Sequence, residues 1–77
     1  MPRLVPVSWK KLECVFIRAG FEFARQVGSH RTYVKKGINR PIVIPAHRKP
    51  IKPFVINNNL RTAGMSRDEY FKLLKDC

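Results

Sequence analysis

At 77 residues, 44% of them apolar, the chain has room for one small domain with one core, residues 1–77 throughout, which excludes a multidomain enzyme and argues against disorder. Sixteen Lys and Arg against five Asp and Glu leave a net charge of +11, and residues 23–67 hold ten cations without a single carboxylate. A polyanion is the natural partner of such an interval, nucleic acid first, while no apolar run approaches the roughly 20 residues a membrane span needs.

In chain order, an extended "RLVPV" arm comes first, held open by Pro2 and Pro6. Ser8 reads as an N-cap, and Trp9, Leu12, Phe16 and Ala19 recur as one stripe of an amphipathic helix that Gly20 stops. At that spacing Trp9 and Phe16 are core anchors rather than base-stacking aromatics. "FEFARQV" (21–27) alternates as a strand, Gly28-Ser29 turns the chain, and "HRTYVKK" (30–36) forms a second strand. "GIN" (37–39) is a hairpin signal before a third strand, "RPIVIP" (40–45), whose prolines at both ends make it short or an edge. Tyr33 and Val34 point to opposite faces, and the sequence leaves open which face is covered. After the basic loop "AHRKPIKP", Pro53 opens a helix that three consecutive asparagines weaken and Gly64 ends. Ser66 and Glu69 then form a capping box ahead of "YFKLL". The order is α-β-β-β-α, with the last helix broken at Gly64.

Cys14 and Cys77 match no zinc or redox spacing and read as free thiols in a reducing cytoplasm. No signal peptide is expected before the first helix.

Chemistry concentrates between Arg25 and Lys36. His30 lies among Arg25, Arg31, Lys35 and Lys36, and fixed positive charge there favours the neutral imidazole with a free lone pair. The chain's carboxylates, Glu13, Glu22, Asp68, Glu69 and Asp76, fall outside the basic centre, so a cluster able to hold catalytic cations is not expected. Phosphodiester cleavage without a metal-bound water calls for an internal nucleophile, which RNA has in its 2′-hydroxyl and DNA lacks. His30 is the candidate general base, and Arg25, Arg31 and Lys35 are the nearest cations to stabilise charge on phosphorus. His47 is open to two readings, a general acid for the leaving oxygen or a structural residue at a strand end. Gly28 and Ser29 act through backbone geometry, with an amide available to phosphate. Lys36, Arg48, Lys49 and Lys52 complete the RNA-binding set. No cofactor is expected.

The segments "AGFEFARQVGSHRTY" (19–33), "IPAH" (44–47), "IK" (51–52) and "LRTAGMSRDEYFKLL" (60–74) resemble HicA-type toxins of HicA–HicB toxin–antitoxin pairs. Many relatives carry further histidines after the first, where this chain has Arg31 and Thr32. The resemblance implies a fold like a double-stranded-RNA-binding domain, a three-stranded antiparallel sheet with helices on one face and a short extra C-terminal helix. It also implies cleavage of mRNA with His30 as catalytic residue, and restraint by a HicB-type antitoxin through which alone DNA would be contacted. Two other classes are compatible with the charge: a non-catalytic RNA-binding module, and a basic ribosome-associated or DNA-binding structural protein.

Overall fold

The computed structural model describes residues 3–77, so the expectation for Pro2 lies outside the described residues. The elements are α1 (Trp9–Arg18), β1 (Glu22–Val27), β2 (His30–Val34), β3 (Ile42–Pro45), α2 (Pro53–Ala63) and α3 (Arg67–Leu74). This is a small α+β domain with an open antiparallel sheet in the order β1-β2-β3. The N-terminal arm is extended but not free, because Val7 and Ile51 exchange backbone hydrogen bonds of 3.3 and 2.7 Å.

Local chemistry explains the boundaries. Ser8 Oγ accepts from the Lys11 N–H and caps α1, while Ser66 Oγ accepts from the Glu69 N–H and caps α3. At the end of α2, Gly64 takes φ 66° and the Met65 N–H donates to Leu60 O, a closure that requires the left-handed conformation. The asparagines do not prevent α2. Asn59 is buried and its Nδ2 donates to Val43 O at 3.1 Å, so part of this polar run covers the free edge of β3. The "GIN" segment lies in the hairpin connection between β2 and β3, which is longer than expected at residues 35–41 and turns where the Ile38 N–H donates to Lys35 O at 3.1 Å.

One apolar core fills the space between sheet and helices. Leu12, Val15 and Phe16 of α1, Ile56 and Leu60 of α2 and Tyr70 of α3 meet Tyr33, Ile42 and Ile44 of the sheet. The Tyr33 face is thus the covered one, and Val34, 44% exposed, looks outward. Burial of this kind contributes about 1.5–3 kcal/mol per large side chain.

The expectation of free thiols is corrected. Packing of α3 along α1 brings the Cα atoms of Cys14 and Cys77 to 5.9 Å, and the two are joined in a disulfide that closes the chain between α1 and its last residue. A separation of 63 residues in sequence concealed a proximity that only tertiary packing creates.

Candidate functional site

Val27 pairs with His30 across the two-residue corner Gly28-Ser29. Gly28 supplies a positive φ of 59° there, with open space where a Cβ would stand. Gln26 Nε2 donates to Gly28 O at 2.9 Å and ties the corner to its own strand. On the other side the Ala46 N–H donates to Ser29 O at 2.6 Å, carrying the β2–β3 ladder one step past the strand ends.

His30 is therefore the first residue of β2, exposed, with Val27 and Pro45 as its cross-strand neighbours. Register assigns the faces. Arg25 pairs with Thr32 and Thr32 with Val43, so Arg25, Val27, His30, Thr32, Val43 and Pro45 share the face turned away from the core. Val27 is 68% exposed on that face. The imidazole stands on an open surface of valines and one guanidinium, beside a glycine corner.

The loop after β3 brings further predicted residues to this end of the sheet. Pro45, His47, Lys49, Ile51, Lys52 and Val55 line a small apolar cleft of about 160 Å³. Because Pro45 pairs with His30, His47 lies only two residues beyond that pair, and the two histidines come to the same end of the domain. Arg48 and Lys49 are exposed in the same loop, and Lys52 is the N-cap of α2 with no side-chain capping bond.

Arg31 and Lys35 do not join this group. Arg31 pairs with Gln26 and Ile44, which puts it on the covered face, opposite to His30. Its guanidinium donates to Glu13 Oε2 at 3.0 Å, Gln26 Oε1 at 2.7 Å and Tyr33 Oη at 2.9 Å. The same group lies 4.3 Å from the Phe23 ring centroid and 5.1 Å from that of Trp9. Three hydrogen bonds and two ring faces hold the partly exposed Arg31 guanidinium on the covered side of the sheet, away from His30. Lys35 Nζ donates to Ala19 O at 2.7 Å, satisfying a carbonyl at the end of α1, and lies with Lys36 beyond the far end of β2. Of the cations nearest His30 in sequence, Arg25 alone shares its face.

The Arg31 cluster also revises the place of the acids. Glu13 is not remote from the basic segment: it sits behind the sheet and accepts from both Arg31 and the Tyr33 hydroxyl. Burial, reinforced by the hydrogen bond to Glu13, raises Tyr33 to about 12, against a smaller opposing pull from Arg31. The hydroxyl, a donor at neutral pH as in any tyrosine, therefore keeps its proton further into the alkaline range. Glu13–Arg31–Gln26–Gly28 is a continuous hydrogen-bonded chain that ends on the corner preceding His30. Sequence reasoning passed over Glu13, Gln26 and Tyr33 as members of the site. Gln26 and Tyr33 had a signal in the alternation around the corner, whereas Glu13, on a different element, had none.

Among the described residues no three His, Cys, Asp or Glu side chains come together as a metal-binding group, and no helix is long and apolar enough to cross a membrane. A sequence model described as the HicA toxin of bacterial toxin–antitoxin systems matches residues 9–65, well over half of the chain. The chain belongs to the HicA toxin family. It is thus a toxin of a toxin–antitoxin system, with an antitoxin as the partner that membership implies. The matched span runs from the first residue of α1 through Met65, and so includes the corner, His30, the His47 loop and the Arg31 cluster. It leaves α3 and Cys77 outside, which makes the Cys14–Cys77 bond a feature that joins the family segment to the rest of the chain. No curated protein sequence matches this chain.

Proposed function

We propose that this HicA toxin is an endoribonuclease that cleaves mRNA in the cytoplasm, with His30 as general base toward a ribose 2′-hydroxyl. The observation that carries the reading is the position of His30, exposed at a glycine corner on the open sheet face with Arg25 beside it. His30 takes the 2′-hydroxyl proton as the 2′-oxygen attacks the adjacent phosphorus. The P–O5′ bond breaks, leaving a 2′,3′-cyclic phosphate, and the departing 5′-oxygen takes a proton from His47 or from water. Arg25 is the cation best placed to meet charge developing on the phosphoryl oxygens, and Arg48, Lys49 and Lys52 hold the flanking backbone. No metal or cofactor enters the scheme, and Gly28 and Ser29 act by shaping the corner and offering a backbone amide.

Inhibition follows from the same surface. An acidic HicB-type antitoxin lying over Arg25, Lys49 and Lys52 would cover His30 and neutralise the field that attracts RNA.

The deciding experiment is RNA cleavage by the wild-type and His30→Ala chains, with RNA affinity measured in parallel. His30→Ala should lose on the order of 100- to 10,000-fold in rate while still binding RNA. Wild-type activity should persist in chelator, fail on a 2′-deoxy substrate and leave cyclic or 3′-phosphate ends. Cleavage by His30→Ala at a tenth of the wild-type rate, or 3′-hydroxyl products, would overturn the mechanism. Binding without any cleavage by the wild-type chain would make the domain an RNA-binding module instead.

A further inference from the structure

At the opposite end of the sheet from His30, the loop between β2 and β3 faces the last turn of α2 across an open cleft of about 720 Å³. Asn39 and Arg40 come from the loop, Asn58, Arg61 and Thr62 from the helix, and Ile38, partly buried against the core, supplies apolar surface. Two glycines shape the rim, Gly37 at φ 90° and Gly64 at φ 66°, and neither has an atom within 4 Å of where a Cβ would stand. The access is therefore wide at both walls.

No Asp or Glu lines the cleft. The one ion pair among the described residues is Glu13–Arg31, so Arg40 and Arg61 have no carboxylate partner among those residues. Converging arginines without an acid form an anion site in search of its ligand. A simple anion is nevertheless a poor match, because the cleft is built on the C-terminal end of α2, whose dipole is negative there. Gly64 and Met65 donate to Arg61 O and Leu60 O, which leaves the carbonyls of Thr62 and Ala63 without a backbone donor among the described residues. The site offers guanidinium donors for a phosphate together with carbonyl and amide groups for a ligand that also carries N–H or O–H donors. A ribonucleotide carries both kinds of group in a single residue, an anionic phosphate and the N–H and O–H donors of its base and sugar. Volume agrees, as pockets for ligands of this size run from about 300 to 1,000 Å³.

We propose that this cleft is a second RNA subsite, binding a nucleotide of the substrate several positions from the one cut at His30, with Arg40 and Arg61 on the phosphate and Asn39, Asn58 and Thr62 toward the base and sugar. The proposal rests on the ribonuclease reading above. His30 stands on the open face and the cleft lies beside α2 past the other end of β2, whose four residue steps span about 13 Å at the usual rise, so one RNA strand reaching both runs the length of the sheet and round its end at the β2–β3 loop. Held at two points, the strand has a defined register at His30, and the cleft contributes to where it is cut. Substrates too short to span both sites should be indifferent to the cleft.

The test compares wild type with Arg40→Gln/Arg61→Gln, which keeps size and solubility, and with Arg40→Glu/Arg61→Glu. Thermal unfolding checks that each is folded. With a 20-nucleotide RNA the glutamine pair should raise KM about ten-fold or more with kcat unchanged, as loss of charge-assisted hydrogen bonds implies. With a dinucleotide substrate both constants should stay at wild-type values. In a His30→Ala background, a 2′-O-methyl tetranucleotide should shift the amide resonances of Asn39, Asn58 and Gly64, and the salt dependence of long-RNA binding should fall by about one per arginine removed. Unchanged KM on long RNA, with Arg25→Glu still weakening it, would overturn the subsite and leave the ribonuclease intact. Loss of antitoxin affinity with RNA affinity unaltered would assign the cleft to the protein partner and overturn the proposal. A wild-type chain that binds no RNA would overturn both.

Discussion

Reducing the Cys14–Cys77 bond should cost this domain a large part of its stability. The bond links the middle of α1 to the last residue and closes a loop with a sequence separation of 63, so the unfolded oxidised chain is denied most of its open conformations. The chain-entropy relation gives about 4 kcal/mol for a loop of this size. A domain of this length has only on the order of 5–10 kcal/mol in total, and the loss converts to a fall in Tm of about 15 °C or more. The effect should centre on α3, whose only strong anchor in the core is Tyr70, with Phe71, Leu73 and Leu74 partly buried around it. The assay is urea unfolding with and without a phosphine reductant, alongside Cys14→Ser/Cys77→Ser in oxidising buffer. The reduced wild type and the double variant should unfold together, well below the oxidised chain, and α3 amides should exchange first. An oxidised and a reduced chain that agree within about 1 kcal/mol would refute the reasoning. In a reducing cytoplasm the thiol form would be the one at work, so the bond separates a robust oxidised toxin from a marginal reduced one.

Four further outcomes follow from the Arg31 cluster and the core. Because Tyr33 is raised to about 12 from an ordinary value of 10, the folded state holds its proton longer than the unfolded chain; stability should decline as pH rises from about 10 through about 12, and Tyr33→Phe should lose that alkaline component in pH-dependent unfolding. At neutral pH the same Tyr33→Phe change removes a donor to Glu13 and should cost about 1–2 kcal/mol by denaturant titration. Gln26→Ala cuts the link from Arg31 to the Gly28 carbonyl and should lower kcat for RNA cleavage by up to about 100-fold with KM and the circular dichroism spectrum little changed, the mark of a positioning residue. Tyr70 is buried with a hydroxyl that has no partner among the described residues, and Tyr70→Phe should raise stability by about 1 kcal/mol in the same titration.

Most of the architecture was legible because it is governed by neighbours in the chain. Ser8 and Ser66 cap helices with hydroxyls three residues from the amides they accept, Gly64 ends α2 through its own φ, and Gly28-Ser29 turns β1 into β2. The expectation of a polyanion partner and the candidacy of His30 likewise rest on local composition, an acid-free interval with one imidazole among its cations. What sequence separation hides was decided by packing. Glu13 meets Arg31 only because α1 lies across the covered face of the sheet, and that meeting ties a cation expected near phosphate to the face opposite His30. Lys35 is drawn to the end of α1 in the same way. Asn59, a poor helix former by itself, is retained in α2 by a carbonyl on the edge of β3. Cys14 and Cys77, unremarkable in composition, become a covalent link once α3 docks on α1. Local rules specify which way each segment turns; which face is buried, and which charges are thereby neutralised, depends on contacts between residues that the chain keeps apart.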